Sequence, residues 1–416
     1  MRSIPMVLSL TLVATVALAE VPASWTAPVA PFRIVGNVYY VGTAELSSFL
    51  ITTAAGHVLL DAPLEENVPL VLGSIRSLGY DPEDVEILIN SQAHVDHAGG
   101  FARMKEATGA RLLVSAPDAE LIERGGRDDF AHGDRLAFTP ATVDGFVADG
   151  QVVELGGTRL RALATPGHTK GGTSWIVDIE EGGETYRVLF ASSLSAPGYD
   201  LRHNEKYPSI LEDFRASFEK LAAVEADVLL SEHGSFYGLE RKRARMIEGG
   251  PNPFVDAGEA GTFVERWRGV IEGQALDQDV IEEVNGVLDR FHAAAAQADG
   301  ETYFSLLEDD GIFLGTDPGE RWSVDEFRAF ARPYFDRGQG WTYVPVSRHI
   351  DLDEDRSTAW FDEELDNEAY GTTRGTGVVM STADGWRIVQ YHLTIPIPNA
   401  ITDEVVERIR AFSGEP

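Results

Sequence analysis

The sequence of 416 residues contains no cysteine. It therefore cannot form a disulfide framework, use a thiol nucleophile or bind a metal through thiolates, so any metal site needs His, Asp, Glu or amide ligands. Basic residues are also scarce, because 34 Lys and Arg stand against 67 Asp and Glu, which gives a net charge of −33. This balance argues against binding to nucleic acid or to anionic membrane surfaces. It favours a soluble protein that acts on small molecules.

Long apolar runs are absent beyond the first residues. Met1–Ala19 has Arg2, an apolar stretch through Val16 and the triplet Ala17-Leu18-Ala19. This order is typical of a secretory signal peptide cleaved near Ala19, and it predicts an exported, periplasmic protein with no membrane segment in its mature form. The alternative, a membrane anchor, is disfavoured because the run is shorter than the roughly 20 residues that span a bilayer.

Residues 20–276 alternate short strand-like runs with turns and a few helical patterns. Examples are the strand runs His57–Leu60 and Glu86–Asn90 and the helical patterns Asn67–Leu78, Leu211–Val224 and Ala260–Ile271. Some strands are joined as hairpins and others are followed by helices. This order predicts an α/β domain with two sheets and outer helices.

Residues 277–416 differ in composition and pattern. They contain 29 acidic residues, 11 arginines and no lysine. Apolar residues at three- and four-residue spacing predict a helix over Asp279–Ala298, and a second helix fits Val324–Phe335. Strand runs follow to about Thr394, so this part is predicted to be a separate α+β domain.

A cluster of chemically active residues follows the strand run Glu86–Asn90. Gln92, His94, Asp96 and His97 lie within six residues, where the strand turns into a helix. Neutral imidazole and carboxylate are ligands that suit zinc, and alternate side chains of such a loop can reach one or two ions. Asp61, at the end of another strand run, is predicted to accept hydrogen bonds from loop amides.

Two distant histidines strengthen this interpretation. His168 lies in the glycine-rich turn Thr165–Trp175, and His233 comes directly after the apolar run near Leu229. Both follow strands, where the functional loops of layered α/β folds collect. The other histidines have no such companions in the sequence, and for them a surface or packing role is predicted: His57, His132, His203, His292, His349 and His392.

With these residues, the first part of the chain resembles the third (B-three) subclass of the metallo-β-lactamases. The resemblance rests on the Gln92–His97 segment, the Thr165–Trp175 turn, the strand-end His233 and the segment Ala191–Tyr199. It implies an αββα sandwich that binds one or two zinc ions. A first zinc site would use Gln92, His94 and His168, and a second would use Asp96, His97 and His233. Ser193 falls where other subclasses place a cysteine ligand, and Ser195 falls where the family often contacts the substrate carboxylate.

Gln92 departs from the histidine that most of this family has at that position. An amide oxygen is a poorer zinc ligand than imidazole, so we expect a weakened first site and tighter binding by Asp96, His97 and His233. Under limiting metal the protein could work with one zinc. The alternative is that Gln92 serves only as a hydrogen-bonding group beside the ligands.

The resemblance implies hydrolysis of the β-lactam ring by zinc-bound hydroxide, which Asp96 would orient. Two alternatives stay open at this point. The same ligands would serve another hydrolase of this fold, such as a lactonase or thioesterase. The chain could also be a binding or assembly protein with vestigial catalysis.

The second part resembles the SnoaL-like branch of the nuclear transport factor 2-like superfamily over roughly residues 279–400. The resemblance rests on segments that include Phe291–Asp299, Phe313–Trp322 and Gln390–Asn399. It implies a cone-shaped α+β domain that binds a ligand or forms a homodimer. Asp317, Arg321 and Trp322 could line its pocket, but a helix-entry turn capped by Ser323 is the favoured interpretation.

Overall fold

The computed structural model describes residues 21–413. The predicted signal peptide, residues 1–19, lies outside this range. Among the described residues, none of the helices has the length and apolar character that crossing a membrane requires.

Eleven α-helices lie within the described range. They are α1 (Ala23–Thr26), α2 (Val68–Ser77), α3 (Val95–Ala98), α4 (Phe101–Thr108), α5 (Ala116–Glu123), α6 (Ile210–Ala222), α7 (Leu239–Glu248), α8 (Glu259–Ala296), α9 (Gly300–Ser305), α10 (Val324–Phe335) and α11 (Thr402–Ser413). The chain divides into two compact units, and the division falls within α8, after Ile271.

The first unit contains two sheets. The seven-stranded sheet runs in chain order: β1 (Phe32–Val35), β2 (Val38–Tyr40), β3 (Phe49–Thr53), β4 (Gly56–Leu60), β5 (Val85–Ile89), β6 (Arg111–Val114) and β7 (Gly145–Phe146). The five-stranded sheet has the order β12-β11-β10-β9-β8, from β8 (Val152–Leu155), β9 (Thr158–Ala164), β10 (Thr173–Glu181), β11 (Glu184–Ala191) and β12 (Val228–Ser231). The predicted αββα sandwich is confirmed.

Burial explains why the strands that carry the site are nearly continuous apolar runs. β4 and β5 pair in parallel, as do β11 and β12. All four residues of β12 are buried, as are four of the five in β4 and in β5. Strands covered on both faces need apolar residues throughout, and loops at their ends are then where polar side chains can collect.

The second unit is built on a six-stranded sheet with the order β14-β13-β18-β17-β16-β15. Its strands are β13 (Leu307–Leu314), β14 (Arg321–Ser323), β15 (Val344–Leu352), β16 (Thr358–Asn367), β17 (Gly371–Thr382) and β18 (Gly385–Thr394). Aromatic packing joins the sheet to α10, because the Phe313 and Phe327 rings stack with centroids 3.8 Å apart. The predicted α+β SnoaL-like domain is confirmed.

Two predicted helices prove to be one. The patterns at Ala260–Ile271 and Asp279–Ala298 both fall on α8, which continues through residues 272–278 and ends at Ala296. That segment contains no proline and only one glycine, Gly273. A single glycine weakens a helix by about 1 kcal/mol but does not end it.

Candidate metal centre

Loops that follow strands of both sheets lie together at one edge of the first unit. Two hydrogen bonds to the carbonyl oxygen of Ser91 join the sheets there, from the Thr173 amide (2.8 Å) and from the Ser192 hydroxyl (2.9 Å). The loop after β5 thus meets the loop after β11 and the start of β10. This junction positions the sequence-predicted residues.

The predicted second-site residues converge at this edge. Nε2 of His97 lies 3.2 Å from Nε2 of His233. Oδ2 of Asp96 lies 3.3 Å from the same atom of His97 and 3.4 Å from that of His233. Ligands of a tetrahedral zinc ion with bonds of about 2.0–2.1 Å are separated by about 3.4 Å, so this spacing suits one ion.

His94 and His168 form a second convergence, with His94 Nδ1 3.1 Å from His168 Nε2. The Ser195 carbonyl oxygen accepts a hydrogen bond from His168 Nδ1 at 2.8 Å. Because a carbonyl can only accept, this bond places the proton of His168 on Nδ1 and directs the lone pair of Nε2 towards His94. Gly167 makes the turn possible, since its φ is +140° and a Cβ there would lie 2.5 Å from the Phe214 ring.

Gln92 is buried beside this pair, but its side chain is engaged elsewhere. Its Oε1 accepts a hydrogen bond from the backbone amide of His94 at 2.7 Å. The structure therefore brings two imidazoles of the predicted first site together, with their ring planes at 75°. It gives the Gln92 oxygen a hydrogen-bonding partner within its own loop.

Electrostatics favours the metal-binding forms of Asp96 and His168 and the protonated form of His233. Burial raises the pKa of Asp96, but the neighbouring His97 and His233 outweigh this effect and hold it well below its usual range. Burial lowers the pKa of His233, yet hydrogen bonds with Asp96 and Glu45 raise it to about 10. Burial, reinforced by the charge of His94, holds the pKa of His168 well below its usual range, so this imidazole is neutral.

Two of the histidines, His233 and His97, have a carboxylate near Nδ1, the ring nitrogen on the side away from Asp96. Oε1 of Glu45 lies 3.4 Å from His233 Nδ1, and Oδ2 of Asp61 lies 3.7 Å from His97 Nδ1. Asp61 accepts hydrogen bonds from the amide and hydroxyl of Ser91, at 2.7 and 2.6 Å, which confirms its predicted contact with a loop amide. Burial raises the pKa of Asp61 to about 8. Such outer partners commonly orient metal-binding imidazoles.

Besides Glu45, sequence reasoning missed three further residues near the site. His132, for which a surface or packing role was predicted, lies beside His94, with the two ring centroids 5.2 Å apart. Asp129 lies beside the same ring, with Oδ2 3.6 Å from His94 Nε2. Glu232 precedes His233 and is buried, which raises its pKa to about 7. Asp129 and His132 belong to a loop that is far in sequence from the Gln92–His97 segment. Glu232, in contrast, directly precedes the predicted ligand His233.

The two predicted substrate-binding serines lie on the loop after β11. Their hydroxyl oxygens are 3.0 Å apart, and the Ser195 hydroxyl is 3.5 Å from His168 Nδ1. Ser193 is 2% exposed, whereas Ser195 is partly exposed. Ser195 is therefore the better placed of the two to reach a bound molecule.

The donor set fits zinc. Four imidazoles and one carboxylate present nitrogen and oxygen atoms to two adjacent points, without any thiolate. Their separations of 3.1–3.4 Å match those around a tetrahedral ion. His94 and His168 would hold one ion, and Asp96, His97 and His233 would hold the other.

In the second unit, the predicted cluster at the start of α10 is a helix-entry turn. Ser323 caps the helix and forms a reciprocal capping box with Glu326. Asp317 accepts a hydrogen bond from the Gly319 amide at 2.8 Å within the preceding turn. Trp322 stacks on Phe327, with ring centroids 5.4 Å apart. These contacts give Asp317 and Trp322 structural roles.

Comparison with solved structures gives the first unit close counterparts. A metallo-beta-lactamase of Cronobacter sakazakii with a HARLDQ motif is 44% identical, with a TM-score of 0.60 over 61% of this chain and 97% of that chain. BJP-1, a subclass B3 metallo-beta-lactamase of Bradyrhizobium japonicum, is 37% identical, with a TM-score of 0.59 over 62% of this chain and 97% of that one.

Curated relatives match more distantly. A hydroxyacylglutathione hydrolase of Mesorhizobium japonicum is 29% identical over 133 residues, which are 32% of this chain and 43% of the relative. The N-acyl homoserine lactonase AttM of Azorhizobium caulinodans is 27% identical over 172 residues, 35% of this chain and 64% of the relative. The chain spans about half the length of the curated relatives it matches.

Family profiles match both units. The profile of the metallo-beta-lactamase superfamily matches residues 45–233, and that of the SnoaL-like domain matches residues 284–398. The first match contains all six predicted metal ligands. The chain therefore belongs to the metallo-beta-lactamase superfamily, as a hydrolase of that fold joined to a C-terminal SnoaL-like domain.

Proposed function

We propose that this protein is a zinc-dependent hydrolase that opens the β-lactam ring. The observation that carries the proposal is the convergence of His94 with His168 beside the group formed by Asp96, His97 and His233. Solved β-lactamases that are 37–44% identical match over 97% of their own length, which supports a lactam as the substrate.

Zinc held at these residues would lower the pKa of a coordinated water to about 7 and polarise the carbonyl oxygen of the ring amide. Asp96 is partly exposed and negatively charged, so its carboxylate can accept a hydrogen bond from the attacking water and orient it. The hydrogen bond from His168 to the Ser195 carbonyl keeps that imidazole fixed. The Ser195 hydroxyl can then donate a hydrogen bond to the substrate carboxylate.

A lactonase or thioesterase is the second candidate function. The curated matches favour it, because they include an N-acyl homoserine lactonase and a hydroxyacylglutathione hydrolase. The same metal ligands would serve an ester or a thioester. The longer coverage of the β-lactamases and the Ser195 loop are what favour a lactam.

Assays of the purified full-length chain with zinc separate these candidates. We expect turnover of a penicillin and a carbapenem that exceeds turnover of an N-acyl homoserine lactone and of a hydroxyacylglutathione thioester. Turnover of the lactone or the thioester without lactam turnover would replace our proposal by the second candidate. Failure to hydrolyse any of the four would favour a binding or assembly protein.

A serine variant tests the substrate contact. Ser195→Ala should raise KM for lactams, which carry a carboxylate, while leaving KM for the homoserine lactone, which has none. Ser77→Ala is a suitable control because Ser77 is exposed on α2, away from the site. An equal change in KM for both substrates would contradict a role for Ser195 in carboxylate binding.

A further inference from the structure

A tight turn after α5 lies beside His94. The backbones of Asp129 and Gly133 exchange two hydrogen bonds, of 3.1 and 3.0 Å, which close the turn. Oδ1 of Asp129 accepts hydrogen bonds from the amides of Ala131 (2.8 Å) and His132 (2.7 Å). These bonds hold the carboxylate in place and use one of its oxygens, so the other is presented to His94.

Two buried atoms without hydrogen-bond partners face each other here. They are Oδ2 of Asp129 and Nε2 of His94, which lie 3.6 Å apart on side chains that are 3% and 6% exposed. This distance is too long for a hydrogen bond. It is close to the separation of about 3.4 Å between two ligands of a tetrahedral zinc ion.

His132 adds a third donor at the same place. A ligand atom of His132 lies within 4.8 Å of a ligand atom of His94 and of one of Asp129, and these last two atoms also lie within that distance of each other. Nδ1 of His132 accepts a hydrogen bond from exposed Arg135 at 2.9 Å. Binding a cation through either ring nitrogen would displace Arg135, but an exposed contact of this kind is weak.

The lone pair of His94 links this cluster to the predicted first site. A neutral imidazole has one nitrogen lone pair, so His94 can ligate through Nδ1 towards His168 or through Nε2 towards Asp129. The first alternative lacks a third imidazole, because Gln92 stands there and its oxygen already accepts a hydrogen bond from the His94 amide. The second alternative offers two imidazoles and a carboxylate.

We propose that His94, Asp129 and His132 form a zinc site of their own, which takes up the ion that the Gln92 position binds weakly. The inference rests on the proposed function, since it concerns a metal of the same centre. His94 would bind through Nε2, Asp129 through Oδ2 and His132 through a ring nitrogen. The Asp96, His97 and His233 group would keep its own ion.

Zinc titration of the metal-free, full-length chain tests the site. Isothermal calorimetry should detect a second equivalent of zinc that His132→Ala removes or weakens at least tenfold. Asp129→Asn should also weaken it, although asparagine keeps the size and one hydrogen-bond acceptor. Arg135→Gln, two residues after the turn, should leave the affinity unchanged or tighten it. Circular dichroism of the metal-free variants checks their folding.

Anomalous scattering at the zinc edge gives the position directly. We expect a peak between His94 Nε2 and Asp129 Oδ2. A peak only between His94 Nδ1 and His168 Nε2, or an unchanged second equivalent in His132→Ala, would overturn the inference and leave Asp129 as a group that orients His94. These readouts do not use hydrolysis, so a chain that binds zinc here but opens no lactam would contradict the proposed function alone.

Discussion

Oδ2 of Asp96 lies 3.4 Å from Nε2 of His233, although the two residues follow different strands in different sheets. His97 Nε2 is 3.3 Å from the same oxygen, so the carboxylate bridges both imidazoles. The Asp96 side chain, on α3, thereby connects this helix to the end of β12.

Replacing Asp96 should therefore disable the centre without unfolding the domain. We expect Asp96→Asn, which keeps the shape but removes the charge, to lower kcat/KM for a lactam by about 10²–10⁴. Zinc affinity should fall at the same time, because an amide is a weaker ligand than a carboxylate. The measurements are steady-state kinetics and zinc titration, with Glu66→Gln on the exposed surface as control. Unchanged kinetics would exclude Asp96 from the reaction.

Glu45 should act through His233. Its Oε1 lies 3.4 Å from His233 Nδ1, and the same carboxylate accepts a hydrogen bond from the Ser235 hydroxyl at 2.5 Å. Because outer carboxylates orient metal-bound histidines, we expect Glu45→Gln to weaken zinc binding about 10–100-fold. Ser235→Ala removes only the contact with serine and should have a smaller effect. Equal effects of the two variants would indicate that Glu45 merely holds the loop.

Much of the site could be predicted because its ligands follow apolar strands. The runs before Gln92 and before His233 are β5 and β12, and parallel strands of layered folds bring their ends to one edge. Local sequence cannot show which distant loop covers that edge. Asp129 and His132 sit after α5, and only folding brings them to His94.

The second unit was predicted less completely for a different reason. The helix at Val324–Phe335 matches α10, since its apolar spacing and its Ser323 cap are local signals. β13 was not predicted, because five of its eight residues are only partly buried or exposed and it contains Gly311. Its place beside β18 is set by parallel pairing with a strand late in the chain.

Metal removal should destabilise the first unit. His94, His97 and His233 bring ring nitrogens into a mostly buried space, and an ion bound there stabilises only the folded state. At a free zinc concentration 100 times Kd, the expected stabilisation is about 2.7 kcal/mol. A chelator should lower Tm, and added zinc should restore it. Magnesium should not, since it prefers oxygen ligands. A Tm insensitive to the chelator would contradict a resident zinc.

A buried ionic cluster should stabilise the second unit. Glu363 is 0% exposed, and its carboxylate contacts His292 Nε2 at 2.7 Å, Arg348 Nε at 2.8 Å and the Tyr391 hydroxyl at 3.0 Å. We expect Glu363→Gln to lower the free energy of unfolding by about 3–5 kcal/mol, because the buried guanidinium of Arg348 would then keep only its ion pair with the exposed Asp289. Denaturant unfolding measures this change. Glu364→Gln, exposed at the next position of β16, should change it by less than about 0.5 kcal/mol.

Because of the Glu363 carboxylate, the stability of the second unit should decrease in acid. Burial raises the pKa of Glu363, but His292 and Arg348 outweigh this effect and lower it below its usual range. Its contribution to stability is therefore present above the unfolded-state pKa of about 4.3 and is lost as pH falls through the lower folded-state value. The difference in unfolding free energy between the wild-type chain and Glu363→Gln should shrink below about pH 4.3. A difference that stays constant there would contradict the charged cluster.

Asp118 should have the opposite pH dependence. It lies on α5, where its carboxylate accepts hydrogen bonds from Asn90 Nδ2 at 3.1 Å and from the Gly171 amide at 2.9 Å. Burial raises its pKa to about 6, against the opposing effect of these bonds and that of Thr169. The unfolded-state value is about 3.9, so between these two values the folded state binds a proton that the unfolded state has lost.

Stability at this position should accordingly fall as pH rises from about 4 to 6, by up to about 3 kcal/mol. Asp118→Asn cannot titrate, so the wild-type free energy of unfolding should decrease relative to that of the variant across this range. Urea unfolding at pH 4, 5, 6 and 7 measures the difference. The histidines are the same in both proteins, so their titration contributes equally to both unfolding free energies and cancels in the difference. Glu120 is exposed on the same helix, so the unfolding free energy of Glu120→Gln should change with pH in parallel with that of the wild type. A wild-type curve parallel to that of Asp118→Asn would mean that Asp118 is ionised throughout, held by its three donors rather than neutralised by burial.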